Sequence, residues 1–98
     1  MVDIKDWQRM ATKNAIEHGF DWSVDEIDTV LLRIHSEVSE ASEAVRDEDY
    51  EGFCKEMADI FIRLVNACEV MGVDLETEVA KKHAVNEARQ SLHGRKRK

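Results

Sequence analysis

The sequence predicts an all-α fold, and three observations predict it. The 98 residues contain no proline and only four glycines, so long stretches have nothing to interrupt a helix. Apolar residues recur at three- and four-residue intervals in four separate stretches. Between those stretches stand short runs of the residues that cap and end helices. Four helices with short connections form a four-helix antiparallel bundle, and a bundle this small gains burial by oligomerising.

The first helix is expected from Asp3 to His18, with Ile4, Trp7, Met10, Ala11 and Ala15 on its apolar side. Asp3 is its N-cap and Gly19 its stop. The loop Gly19-Phe20-Asp21-Trp22-Ser23 sets two aromatics beside a flexible glycine. Ser23, with Glu26 three residues on, is a capping box that opens the second helix, Val24 to Arg46. Its stripe is Ile27, Leu31, Ile34, Val38, Ala41 and Val45. Asp47-Glu48-Asp49 marks a short turn. The third helix, Tyr50 to Met71, carries Phe53, Met57, Ile60, Phe61, Leu64 and Cys68, and Gly72 ends it. Asp74 caps the fourth, which uses Leu75, Val79, His83 or Ala84, and Val85 before fraying near Gly94. With no repeat or linker, residues 1–94 read as one domain and residues 95–98 as a basic flexible tail.

The formal net charge of −7 conceals an asymmetry, because Arg95, Lys96, Arg97 and Lys98 close the chain. Without them, 10 basic residues face 21 acidic ones, a balance of −11. So acidic a body repels a phosphate backbone, which argues against a nucleic-acid polymer as partner. It tolerates a divalent cation, and the basic tail offers a clamp over a polyphosphate. Cys54 and Cys68 have neither a CxxC nor a zinc spacing and fall on the apolar side of the third helix. Buried thiols in a reducing compartment are therefore expected. The N-terminus lacks the apolar core of a signal peptide and no apolar run spans a bilayer, so the expected location is cytoplasmic.

Two acid pairs stand out, Glu37/Glu40 and Glu56/Asp59. Acid-x-x-acid also occurs at Asp3/Asp6, Asp25/Asp28, Glu40/Glu43 and Glu48/Glu51, so spacing alone decides nothing. Angle and height do. At ~100° per residue both chosen pairs lie on the margin of their apolar stripes with the same rotational sense. Antiparallel packing, which the short turn demands, puts them on one side of the interface. The midpoints of the two pairs lie equally far from Glu48 along the chain, so the pairs sit at matched levels. Four converging carboxylates raise one another's pKa unless a counter-ion is present. A hard divalent cation with oxygen ligands, Mg²⁺ above all and Mn²⁺ as a substitute, meets that need. The competing reading is a set of solvated salt bridges to Arg33, Lys55 and Arg63. A di-iron centre would want Glu-x-x-His, which does not occur.

These residues carry a resemblance. Leu32-Arg33-Ile34-His35-Ser36-Glu37-Val38-Ser39-Glu40-Ala41, followed by Glu56-Met57-Ala58-Asp59-Ile60 with a gap of 15 residues between Glu40 and Glu56, is similar to the ExxE…ExxD signature of the all-α nucleoside triphosphate pyrophosphatases. The compact MazG-like members are the nearest likeness. Lys82-x-x-x-Asn86-x-x-Arg89, then His93-Gly94-Arg95-Lys96, resembles that family's C-terminal Lys/Asn/Arg segment and basic close. Gln90 departs from the proline that often follows the arginine.

The resemblance implies hydrolysis of an NTP or dNTP between the α- and β-phosphates, giving the monophosphate and pyrophosphate, in nucleotide-pool house-cleaning. It implies Mg²⁺ held by Glu37, Glu40, Glu56 and Asp59, with Glu40 and Glu56 the catalytic carboxylates. Lys82, Asn86 and Arg89, on one face of the fourth helix, would grip phosphates together with Lys96. Trp22, and less so Trp7, would stack on the base. A homo-oligomer, dimer or tetramer, is expected. The alternatives are an inactive helical interaction module of the same fold and a dUTPase-type pyrophosphatase.

Overall fold

In the computed structural model, which describes residues 1–89, the chain is helical throughout apart from short connections. The helices are α1 (Ile4–Glu17), α2 (Ile27–Arg46), α3 (Tyr50–Val70) and α4 (Leu75–Ala88), with a 3₁₀ turn over Val24–Glu26 leading into α2. The expected tail, residues 95–98 with Lys96, lies outside the described residues, as does Gln90.

Local chemistry sets each boundary. Asp3 Oδ1 accepts from the Asp6 amide at 2.8 Å and Asp6 Oδ2 accepts from the Asp3 amide at 3.1 Å, a reciprocal cap at the start of α1. Gly19, at φ +90°, turns the chain out of α1 in the left-handed region. Ser23 and Glu26 are joined as the capping box requires, the Ser23 amide donating to Glu26 Oε1 at 2.9 Å. The first turn after Ser23 is 3₁₀, so α2 proper begins three residues later than expected. Asp49 caps α3 through the Gly52 amide at 2.9 Å, and Asp74 caps α4 through the Thr77 amide at 3.3 Å. Glu48, between α2 and α3, takes φ +58°, a left-handed conformation unusual outside glycine.

α3 is the central element. It packs along α2, its hairpin partner, and along α1, while α4 meets α1 over a short stretch. The core contains Ile27, Val30 and Ala67, with Trp22, Ile34 and Val70 against them. Ala11, Ala41, Ala44 and Val65 are also buried. The small residues allow helix axes to approach closely, at 8–10 Å in typical packings.

The expected stripes and the buried cysteines need correction, beginning with α1, where Trp7 and Met10 are exposed. Leu31, Val38 and Val45 of the expected α2 stripe are exposed, whereas Val30 and Ala44 are buried. The buried stripe is thus rotated toward Glu37, and every seventh residue from Leu31 forms a second, uncovered row. α3 repeats this: Tyr50, Met57, Leu64 and Met71 are exposed, although Met57 and Leu64 were expected inside. With α1 and α2 taking two sides of α3, one apolar side has no cover among the described residues. For the same reason Cys54 is exposed, not buried, and Cys68 is only half-buried.

α4 is held by polar contacts. The nearly buried Gln8 donates to the Val73 carbonyl at 2.7 Å and to Glu69 Oε1 at 3.3 Å, and accepts from the Leu75 amide at 3.0 Å. Glu76 Oε1 accepts from the Ile4 amide at 3.2 Å, and Lys5 pairs with Asp74 at 3.5 Å.

Candidate functional site

The α2–α3 hairpin brings Glu37, Glu56 and Asp59 together, one carboxylate oxygen from each lying within 4.8 Å of the others. Glu37 and Glu56 are half-buried and Asp59 is exposed. Glu40, one turn beyond Glu37, is exposed and stands outside that group, but its charge reaches Glu56. Among the described residues no histidine or cysteine joins the group, and His35 is exposed elsewhere on α2.

Glu56 is the focus of strain. Burial first, then repulsion from Glu40, Glu37 and Asp59, pushes its carboxyl above its ordinary value of 4.5. Its Oε1 is buried and finds no hydrogen-bond partner among the described residues. An orphaned acceptor facing other acids is satisfied by a proton or by a cation. The donors are all hard oxygens, which fits Mg²⁺ or Mn²⁺ and not a soft metal.

Among the described residues the cation in contact with the cluster is Arg63, two turns along α3 from Glu56 and on the same face. Its Nε lies 3.0 Å from Glu37 Oε1. With side-chain exposures of 36% and 16%, this is the most buried ion pair among the described residues.

Asp59 and Arg63 also line a cavity of about 380 Å³ that runs between α1, α3 and the loop after α1. Its opposite wall is aromatic. Phe20 and Trp22 stack with centroids 6.0 Å apart and planes 24° from parallel, and the Arg33 guanidinium lies 5.4 Å from the Trp22 ring centre. His18, Asn14, Ile62 and Asn66 complete the lining. His18 Nδ1 is 2.8 Å from the Asn14 carbonyl, so the ring donates there and leaves Nε2 as an acceptor when neutral. Trp7 does not reach this cavity: it packs edge-on against Phe61, centroids 6.5 Å apart.

Lys82, Asn86 and Arg89 are exposed on α4 or at its end. None of the three lines the cavity or pairs with a cluster carboxylate. Sequence reasoning gave Arg63 a place only in the competing reading, as a salt-bridge partner of the acids, which its pair with Glu37 matches, and gave Asn66 and His18 no part. Arg63 carried a signal, since Glu56, Asp59 and Arg63 fall at i, i+3 and i+7. Asn66 and His18 carried none, because only the packing of α1 on α3 brings the end of α1 and the middle of α3 to one cavity.

An all-α hairpin presenting an oxygen-only acidic cluster beside a cavity has the donor set that a hard divalent cation prefers. The MazG nucleotide pyrophosphohydrolase domain matches residues 25–90, and the chain belongs to that family. No curated protein and no solved structure matches the chain significantly. The carboxylates fall inside the matched span; α1, Phe20 and Trp22 precede it. Among the described residues no helix is long and apolar enough to cross a membrane.

Proposed function

We propose that the chain is a Mg²⁺-dependent nucleoside triphosphate pyrophosphohydrolase, cleaving an NTP or dNTP between the α- and β-phosphates. The observation that carries this reading is the orphaned Glu56 oxygen within a three-carboxylate group, in a chain of this family. Glu37, Glu56 and Asp59 would hold the ion, with Glu40 completing the set from the rim. When bound, Mg²⁺ (or Mn²⁺) supplies charge neutralisation at the phosphates and activation of the attacking water. Glu40, exposed and outside the tight group, is the carboxylate with the freedom to take that water's proton. Trp22 and Phe20 offer a flat apolar wall for the base, and Arg33 brings positive charge to the same cavity.

The uncovered rows on α2 and α3 support a homo-oligomer, since an apolar face of this kind marks an interaction surface. In such an assembly Lys82, Asn86 and Arg89, which stand clear of the acids of their own chain, would serve a neighbouring copy. Two unpaired cysteines suit a reducing, cytoplasmic setting.

The experiment is a panel of NTPs and dNTPs with pyrophosphate release as readout, with and without Mg²⁺. Release is expected for at least one nucleotide, only with metal, and is expected to vanish in E56Q while helicity persists. Absence of release across the panel, with no rise in melting temperature on adding Mg²⁺, would favour an inactive interaction module. Exclusive turnover of dUTP would assign a dUTPase.

A further inference from the structure

Arg63 is placed where a metal-binding cluster would not be expected to tolerate a cation. It neutralises Glu37, one of the three converging carboxylates, from a partly buried position. A guanidinium that close to a dication in a half-buried site is strongly repelled, so Glu37 cannot serve both fully at once. Only Nε is used; the two Nη groups of Arg63 have no partner among the described residues, yet the side chain lines the cavity beside Asp59. Guanidinium forks match phosphate oxygens bidentately. Arg63 therefore stands between two anions, the carboxylate it holds and whatever anion enters the cavity.

We propose that Arg63 is the resting counter-ion of the carboxylate cluster, which yields Glu37 when a divalent cation binds and then grips the polyphosphate of the substrate. The exchange keeps Glu37 paired in the metal-free protein, while the cluster as a whole stays anionic and open to a cation. It also couples metal to nucleotide, because the displaced guanidinium finds its anion only when a phosphate chain is present. The inference rests on the reading of Glu37, Glu56 and Asp59 as metal ligands.

Two measurements test it on the full chain. The first is Mn²⁺ binding without nucleotide, compared in the wild type and R63Q. R63Q is expected to bind Mn²⁺ alone roughly tenfold more tightly, since a competitor for Glu37 is gone, and to bind a non-hydrolysable triphosphate at saturating Mn²⁺ roughly tenfold more weakly. Unchanged or weaker Mn²⁺ binding by R63Q, or unchanged triphosphate binding, overturns the exchange. The second needs no variant to fold: the Arg63 Nε–H resonance of the wild type is expected to shift when Mg²⁺ is titrated alone and again when the triphosphate is added. A resonance that ignores Mg²⁺ overturns the proposal. A wild type that binds no Mn²⁺ removes the metal-site reading as well, whereas tight Mn²⁺ binding that is indifferent to Arg63 removes only this inference.

Discussion

Thr12 of α1 donates its hydroxyl to Oδ1 of Asn66 of α3 across 2.8 Å, tying the two helices together at the wall of the cavity. Asn66 is 7% exposed, so its acceptor depends on that one bond. T12V keeps the shape and removes the donor, leaving a buried oxygen unpaired at a cost of about 1–3 kcal/mol. Urea denaturation of the variant measures that loss, and it should appear without any change in the far-ultraviolet spectrum of the native state.

Gln8 makes a similar argument for α4. It is 2% exposed and bridges α1 to the Val73 carbonyl and the Leu75 amide. Q8A should cost about 2–3 kcal/mol, because it strands two backbone groups at once. Hydrogen exchange should accelerate more in α4 than in the α2–α3 hairpin. Uniform acceleration across all helices would show that α4 is not separately latched.

The acids give a signed pH dependence. Glu56 is raised above its ordinary 4.5, so the folded protein binds its proton more readily than the unfolded chain does. Acidifying the metal-free protein through the folded value therefore stabilises it, and the gain is complete below 4.5. Asp3 and Asp74 are lowered from 3.8, chiefly by backbone hydrogen bonds from Asp6 and Thr77 respectively. Their contribution is present above 3.8 and is lost as pH falls through the lower folded values. Melting temperature should thus rise on mild acidification, then fall in strong acid. Saturating Mg²⁺ should abolish the rise and keep the fall, since bound metal holds the cluster charged.

The exposed rows predict association. V45E places a charge where the wild type leaves an apolar side chain 59% exposed. Sedimentation should move from an oligomer to a single chain, with secondary structure unchanged, because the substitution buries nothing in the monomer. A wild type that already sediments as one chain at micromolar concentration sinks the idea.

Helix number, caps and turns were legible in the sequence because they depend on residues within one or two turns of each other. Asp3, Gly19, Ser23 with Glu26, and Asp74 act where their spacing places them. The convergence of Glu37, Glu56 and Asp59 was legible for a related reason: a tight hairpin converts distance along the chain into height. Which apolar row turns inward was not. Leu31 and Val30 are equally good core residues, and the choice between them follows from how α2 seats on Ala67 and Val70 of α3 and on Trp22, a long-range fact. Arg63 escaped for its charge, since a basic residue near acids reads as a surface pair until its burial is known. α4 gave the weakest signal, and its few apolar side chains remain largely uncovered.

The seam between the matched span and what precedes it has a consequence for divergence. The acids belong to a hairpin that can be inherited as a unit, while the aromatic wall is contributed by a helix and loop attached through separate contacts. Exchanging that N-terminal piece would retune what the cavity admits and leave the chemistry of the hairpin in place. On the proposed reading, selectivity would then be shared between this N-terminal piece and the Arg33 and Ile62 side chains of the hairpin, while reactivity would rest on the hairpin alone.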